Sequence, residues 1–235
     1  MKNQYFADTR DLFKYDLILE ILLKSNLSRF AFIPMLTKNE ANAHGDRIRY
    51  ERAKAGARNM VLRKFLEKCI RQNKRNINEL ESFFKDTFAG KFDIMIYKKN
   101  RYFSHGNRVT YFNQIKRSFL SGSVILVDPD IGLEVKSIKG KEEKYVKYDE
   151  VRLLCNRMDR SSILIIFQFI PRVKRKEYFL HVGKRLKRVA DLPVYYISDN
   201  QVVFMILTKN MELQNLVADV IGKYGKRYNL IWGRI

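Results

Sequence analysis

The feature that most constrains this chain is a short apolar run that ends in two carboxylates. Residues 124–127 are β-branched and apolar, with turn-forming residues on both sides, and this pattern predicts a fully buried strand. Asp128 and Asp130 follow directly, separated by a proline. Ligands of open α/β sheets bind outside the carboxyl ends of the strands. The sequence therefore predicts a functional site where this strand ends.

The second constraint is charge. The chain carries 46 Lys and Arg residues against 25 Asp and Glu residues, a formal net charge of +21. Such a charge attracts polyanions and predicts nucleic acid as the partner, although a basic surface without a binding role has the same composition. No apolar run approaches the roughly 20 residues of a membrane span, so no membrane partner is predicted. The only two cysteines, Cys69 and Cys155, lie in helical patterns, which favours a reducing, cytoplasmic location.

The length of 235 residues and the apolar fraction of 46% favour one α/β domain over residues 1–235, with a basic helical insertion around residues 47–90. Strand and helix patterns alternate until a final hairpin. This order predicts a mostly parallel, Rossmann-like sheet flanked by helices, with a C-terminal antiparallel hairpin. Helices are predicted over 8–25, 47–73, 78–84, 111–120, 148–157, 174–188 and 212–224, and strands over 30–36, 92–97, 124–127, 162–167, 194–197, 202–207 and 229–232.

Two regions have a composition typical of nucleic-acid binding. The predicted helix from residue 47 is rich in cations, and the loop 98–108 mixes cations with aromatic residues that can stack on bases. A solvated helix face, or a loop whose rings pack inward, would show the same residues. The predicted nucleic-acid-binding residues are Arg47, Arg49, Arg52, Arg101, Tyr102, Arg108, Arg172, Lys174 and Arg175.

Three short motifs carry a resemblance to known families. Residues 3–15 read Asn-Gln-Tyr-Phe-Ala-Asp-x-x-Asp-x-x-Lys-Tyr, and residues 128–130 read Asp-Pro-Asp. Both resemble motifs of the bacterial large-subunit ribosomal RNA adenine methyltransferases of the Asp-Pro-Pro-Tyr type. The chain is more similar to an unassigned bacterial group with an Asn-Gln-Tyr-Phe-Gly-Asp start, a Leu-Asp-Pro-Asp-Asn-Gly-x-Glu-Val-Lys-Ser motif and a Tyr-Gln-His-x-x-Arg motif. The last of these is Phe-Gln-Phe-Ile-Pro-Arg here, over residues 167–172.

The resemblance to the methyltransferases implies a Rossmann-like enzyme that uses S-adenosylmethionine to methylate a base of RNA or DNA. Asp128 would then accept a hydrogen bond from the target amine of an unstacked base. Four features depart from that pattern. Ile131 replaces the base-stacking aromatic residue, and Asp130 stands where a proline is expected. The second predicted strand ends in Lys98 instead of an acid, and the loop 37–46 has only one glycine, Gly45. The residues that the resemblance implies for the cofactor are Asp8, Asp11, Lys14, Thr37, Gly45 and Asp46.

The same stretch admits a second chemistry. Asp128, Asp130 and Glu134 supply oxygen ligands of the kind that Mg²⁺ prefers, with Lys136 near the attacked phosphate and Gln168 at the end of the next strand. These residues predict a Mg²⁺-dependent nuclease as the alternative, in which Asp93, at the start of the second predicted strand, could replace Asp130 as the distant acid. A third interpretation is a non-catalytic nucleic-acid-binding protein on the same scaffold. Both enzyme interpretations expect the two aspartates to be open to solvent at the rim of the sheet.

Overall fold

A computed structural model describes residues 1–41, 50, 53–135, 140–171 and 174–235, with the side chains of Arg175 and Lys176 left out. The helices are α1 (Thr9–Lys24), α2 (Met60–Arg71), α3 (Glu79–Phe88), α4 (Arg108–Asn113), α5 (Arg117–Leu120), α6 (Tyr148–Arg157), α7 (Arg175–Ala190) and α8 (Met211–Tyr228). The strands are β1 (Arg29–Ile33), β2 (Asp93–Ile96), β3 (Ser123–Val127), β4 (Gly132–Leu133), β5 (Tyr145–Val146), β6 (Ile163–Phe169), β7 (Tyr195–Ser198), β8 (Val202–Thr208) and β9 (Ile231–Arg234). None of these helices has the length and apolar character needed to cross a membrane.

Seven strands form one sheet in the order β2-β1-β3-β6-β8-β7-β9. The first four strands are parallel, whereas β8 runs antiparallel to both β6 and β7, and β9 runs antiparallel to β7. The short strands β4 and β5 pair separately beside this sheet. The architecture confirms the predicted Rossmann-like α/β class, with flanking helices and a C-terminal antiparallel hairpin.

The central strand β3 is buried along its whole length, as its apolar run predicts. Val124 and Leu126 join a core shared with α1 and α8, and Ile125 and Val127 join a second core shared with α6 and α7. A strand covered by helices on both faces has no solvent-facing side, so every position favours an apolar residue. Because the strand is buried up to Val127, the polar residues that follow it lie at the carboxyl edge of the sheet.

Two predicted helices differ from the structure. Residues 47–49 and 51–52 of the helix predicted over residues 47–73 lie outside the described residues. From residue 53 onward, the helix begins at Met60, where the Asn59 side chain accepts a hydrogen bond from the backbone N–H of Leu62 at 3.0 Å. Gly56 precedes it with a φ of 77°, and a Cβ there would lie 2.8 Å from the carbonyl oxygen of Leu12. That close approach forces a turn, so the helix prediction is wrong for residues 53–59. The helix predicted over residues 111–120 is divided between α4 and α5.

Candidate functional site

The strand order reverses between β1 and β3. From β1 the chain passes to β2 on one side, and it later returns to β3 on the other side of β1. Ligands of open α/β sheets bind outside the carboxyl ends of the strands at such a reversal. Residues 34–37 after β1 and residues 128–130 after β3 border this crevice. The fold therefore favours a ligand site at this position.

The N-terminal residues of the chain occupy the crevice. The amino group of Met1 donates hydrogen bonds to the carbonyl oxygens of Pro34 at 3.1 Å, Met35 at 3.2 Å and Asp128 at 3.0 Å. The backbone N–H of Thr37 in turn donates to the carbonyl oxygen of Met1 at 2.8 Å. The N-terminal segment therefore fills the space where the fold would otherwise offer a ligand site.

Asp130 is paired with this segment. Its Oδ1 lies 2.8 Å from the amino group of Met1, and its Oδ2 accepts a hydrogen bond from Oγ1 of Thr37 at 2.7 Å. Nζ of Lys2 lies 3.6 Å from the same carboxylate. Burial alone would raise the pKa of Asp130, but the amino group of Met1 and the Thr37 hydroxyl outweigh burial and lower the pKa. Asp130 is therefore a buried anion with its partners in place.

Asp128 belongs to a buried triad. Nζ of Lys14, from α1, lies 2.7 Å from Oδ2 of Asp128 and 2.6 Å from Oδ1 of Asp11. Burial raises the pKa of both aspartates, because two carboxylates removed from water share this single lysine. For Lys14, burial opposes the charged form, but Asp11 and Asp128 overcome that effect and raise the pKa. We call Met1, Lys2, Asp11, Lys14, Asp128 and Asp130 the switch-point cluster.

The expectation that Asp128 and Asp130 are open to solvent is wrong. Asp128 is 1% exposed and the side chain of Asp130 is 6% exposed, because the N-terminal segment folds back over the carboxyl edge of the sheet. The residues implied for the cofactor have protein partners as well. Asp8 caps α1 by accepting hydrogen bonds from two backbone N–H groups, as its position before the helix predicts. Asp11, Lys14 and Thr37 are held in the contacts described above.

The motif around Gln168 also has a structural role. Oε1 of Gln168 accepts a hydrogen bond from the backbone N–H of Leu133 at 2.7 Å, and Nε2 donates to the hydroxyl of Tyr178 at 2.9 Å. Gly132 has a φ of 143°, and a Cβ there would lie 2.3 Å from Oε1 of Gln168. Gln168 therefore clamps the turn after β3, so that all three motifs quoted for the resemblance meet at one edge of the sheet.

Glu134 points to a different environment from the two aspartates. Its Oε1 accepts a hydrogen bond from the backbone N–H of Tyr148 at 3.0 Å, at the start of α6. Asp93, an alternative acid for the nuclease, begins β2 and is therefore at the amino edge, opposite Asp128. Across the described residues, no group of three or more His, Cys, Asp and Glu side chains is arranged to hold a metal ion.

An open cavity of about 380 Å³ is lined by residues outside the switch-point cluster. It is bordered by the loop after β2, by residues on both β4–β5 flanks (134–135 and 142–147) and by helix α7. Arg185 of α7 stacks on the Tyr148 ring, with 4.0 Å between the guanidinium carbon and the ring centroid, and lies 3.9 Å from Oε1 of Glu134. We call this space the α7 cavity; its polar and aromatic lining residues are His105, Glu134, Glu142, Tyr145, Lys147 and Arg185.

The predicted nucleic-acid-binding residues separate into three groups. Arg101 and Tyr102 are exposed on the loop after β2, and Lys174 is exposed before α7. Arg108 is only 5% exposed and forms an ion pair with Glu150 at 2.5 Å, so the prediction that it contacts phosphates is wrong. A buried carboxylate needs that cation as its partner. Gly45, Asp46, Arg47, Arg49, Arg52, Lys136, Arg172 and the side chain of Arg175 lie outside the described residues.

Sequence reasoning missed Arg185 and its stacking partner Tyr148. The two residues belong to different helices, and no short spacing in the sequence links them. A scan against models of protein families finds no match for this chain, and a search among curated proteins finds none either. The assignment of a function therefore depends on the geometry of the carboxyl edge.

Proposed function

We propose that this protein binds nucleic acid at the carboxyl edge of its Rossmann-like sheet. One observation carries the proposal: exposed Arg101 and Tyr102 lie on the loop whose His105 lines the α7 cavity, which also contains Arg185 and Lys147. Cations that track the backbone, combined with aromatic rings on which bases stack, are typical of proteins that bind single strands. The net charge of +21 supports a polyanionic partner.

The contrast with the switch-point cluster supports binding over chemistry at the two aspartates. In that cluster the protein itself supplies a cation to each buried carboxylate, Lys14 to Asp128 and the amino group of Met1 to Asp130. A carboxylate with a cation already at about 3 Å is poorly placed to accept a proton from a substrate amine or to bind a metal ion. The guanidinium of Arg185 in the α7 cavity, in contrast, has no carboxylate of the described residues within hydrogen-bonding distance, and its side chain is 43% exposed.

Fluorescence anisotropy with labelled single-stranded RNA, single-stranded DNA and duplex DNA tests the proposal over a series of salt concentrations. The affinity for single strands should fall with salt, with a slope near −0.7 for each phosphate contacted. Replacing Tyr102 with Ala should weaken binding by roughly fivefold or more, since a stacked base contributes about 1–3 kcal/mol.

Lys223→Ala is the matched control, because Lys223 is an exposed cation on α8 that forms an ion pair with the exposed Asp219. Its affinity should stay within about twofold of the wild type. Arg101→Ala removes an exposed cation of the proposed surface and should weaken binding more than Lys223→Ala does. Equal losses in these two variants would show that binding depends only on the net charge of the protein. Undetectable binding of every probe at low salt would exclude the proposal.

Base methyl transfer is a second candidate function, favoured by one observation. Asp128 lies directly after β3 at the reversal of strand order, which is where the resemblance to the methyltransferases puts the residue that meets the target amine. The described residues do not fit S-adenosylmethionine in their present arrangement, because residues 1 and 2 fill the crevice and Thr37 is bonded to Asp130. We therefore derive no transfer step from these residues.

Calorimetry with S-adenosylmethionine tests this second function directly. Binding to the wild type would support methyl transfer and would require the N-terminal segment to leave the crevice. No heat at millimolar ligand would remove the support for methyl transfer while leaving the binding proposal intact. Titration with Mg²⁺ alongside an RNA and plasmid cleavage assay tests the nuclease alternative, for which loss of cutting in Asp128→Ala is the expected sign.

A further inference from the structure

We propose that the α7 cavity takes one unstacked nucleotide of a bound single strand, with the base against the guanidinium of Arg185. This inference rests on the proposed function and names the ligand of one place within that surface. Three features carry it: the accessible guanidinium of Arg185 beside Tyr148, the distribution of charge around the cavity, and the anchoring of the loop that leads into it.

Arg185 is in contact with an aromatic ring and remains accessible to a ligand. Its guanidinium carbon lies 4.0 Å from the centroid of the Tyr148 ring, and the side chain is 43% exposed. The distance of 3.9 Å to Glu134 is too long for a hydrogen bond, and no described residue accepts a hydrogen bond from Arg185. Unstacked bases pack on arginine planes of this kind, which would extend the stack from Tyr148 through Arg185 to the base.

The charges around the cavity indicate which part of the nucleotide enters it. Glu134 and Glu142 are acceptors that would repel a phosphate but can accept hydrogen bonds from the amino groups of a base. Lys147 and His105 supply the donors that a phosphate needs. We therefore place the base inside the cavity and its phosphate beside Lys147 and His105.

The volume of the cavity agrees with a single nucleotide. About 380 Å³ lies at the lower end of the range of roughly 300–1,000 Å³ that small-molecule sites occupy. A base that is paired and stacked in a duplex cannot enter a concave pocket unless it first leaves the stack. The cavity is therefore selective for single-stranded or extruded nucleotides, and amino-bearing bases should be preferred over uracil.

The loop that leads to the cavity is held in place by the protein. Phe103 is buried, and the side chain of Asn107 donates a hydrogen bond to the carbonyl oxygen of Tyr102 at 2.9 Å. Arg108, at the end of the loop, donates to the carbonyl oxygen of Tyr145 at 2.9 Å, which ties the loop to β5. A loop fixed before binding loses little conformational entropy when a strand contacts it. Tyr102 and the α7 cavity can therefore contact successive parts of one strand.

The test uses single-stranded oligocytidine and oligouridine containing one fluorescent base analogue whose emission is quenched by stacking. Wild-type protein should quench the probe and prefer oligocytidine. Arg185→Ala should lose the quenching and about tenfold in affinity, the value of roughly 1.4 kcal/mol for one stacked base. Lys187→Ala removes an exposed cation from the same helix and should keep the quenching.

Arg185→Lys distinguishes the contribution of stacking from that of charge. It also provides a second variant in case Arg185→Ala does not fold. This variant keeps the cation, so the salt dependence should stay while the quenching is lost. Quenching in Arg185→Ala equal to that of the wild type would overturn the inference, as would a free cytidine monophosphate that competes as well as the strand does. Failure of the proposed function looks different, because then the wild type itself binds no oligonucleotide.

Discussion

The switch-point cluster and the α7 cavity lie on the same edge of the sheet, and both contain acids and cations. The two regions differ in the distance between cation and carboxylate and in how far the cation is buried. In the cluster, Lys14 contacts two carboxylates at 2.6 Å and 2.7 Å and is buried with them. In the cavity, the cation of Arg185 lies 3.9 Å from the nearest carboxylate and is 43% exposed. Proximity to the ligand-binding edge of a fold is thus insufficient to make a charged residue functional; what matters is whether the protein has already supplied its counter-ion.

This difference has an energetic consequence. Removing one partner of a buried ion pair leaves the other charge unpaired in a medium of low polarity, which lowers the free energy of unfolding by several kcal/mol. Exposed ion pairs contribute little to that free energy. Substitutions in the switch-point cluster should therefore change the free energy of unfolding, and substitutions in the α7 cavity should change binding.

Replacement of Lys14 by Met should have the largest effect. It leaves Asp11 and Asp128 buried without their shared cation, and we expect a loss of about 3–5 kcal/mol in the free energy of unfolding. Urea denaturation followed by circular dichroism measures this loss. Lys223→Met breaks the exposed pair with Asp219 and should cost under about 0.5 kcal/mol. Similar losses in the two variants would contradict the distinction between buried and exposed charge.

Replacement of Arg108 by Met should have the next largest effect. Glu150 would lose its guanidinium partner but keep the hydrogen bond from the backbone N–H of Lys147 at 2.7 Å, so we expect a loss of about 2–3 kcal/mol. The salt dependence of oligonucleotide binding should not change in the folded fraction, because the side chain of Arg108 is buried. If the affinity of this variant fell less steeply with salt concentration than that of the wild type, Arg108 would be a phosphate contact after all.

Gly132→Ala tests the contact between Gln168 and the turn after β3, which lies between the switch-point cluster and the α7 cavity. The new methyl group would meet Oε1 of Gln168 at 2.3 Å on a backbone with a φ of 143°, and the combined clash and strain should cost about 1–3 kcal/mol. Gly106→Ala is the control, since no atom lies within 4 Å of its Cβ position. In thermal denaturation only the first variant should melt clearly earlier. Unchanged melting of Gly132→Ala would mean that the turn after β3 is free to shift.

The sheet was predictable from the sequence because its signals are local. The apolar run of β3, the hairpin between β7 and β8, and Asp8 before α1 each act within a few residues. Which charged residues at the carboxyl edge of the sheet are buried and paired was not predictable in the same way. Lys14 meets Asp128 across 114 residues, and a short motif shows which residue types are present without showing their partners.

The stacking of Arg185 on Tyr148 escaped prediction for the same reason, because it joins two helices whose relative position only the folded chain defines. The error at Arg108 has a related origin. A cation in a loop of mixed cations and aromatic residues is typical of a nucleic-acid contact, but the buried Glu150 that binds it lies 42 residues further along the chain. Residue type indicates the chemistry that a region can perform, and burial decides which residues are free to perform it.

The smallest effect is expected at the border of the switch-point cluster, where Glu40 accepts hydrogen bonds from Lys144 at 2.8 Å and Lys2 at 2.5 Å. These bonds lower the pKa of Glu40 to about 2. Because the folded-state pKa lies below the unfolded value of 4.5, the stabilisation is complete above that value and is lost as the pH falls towards 2. The Glu40 side chain is 40% exposed, so solvent screening should keep the contribution below about 1 kcal/mol.

The difference in urea midpoint between wild type and Glu40→Gln measures this contribution. The difference should shrink by about half between roughly pH 5 and pH 3, and it should also shrink at high salt because the pairs are accessible to water. Asp11 and Asp128 should act in the opposite direction, since burial raises their pKa values and stability falls as they ionise with rising pH. A Glu40 contribution that falls with pH but does not respond to salt would show that Glu40 belongs to the buried cluster. A contribution that is independent of pH would contradict the lowered pKa of Glu40.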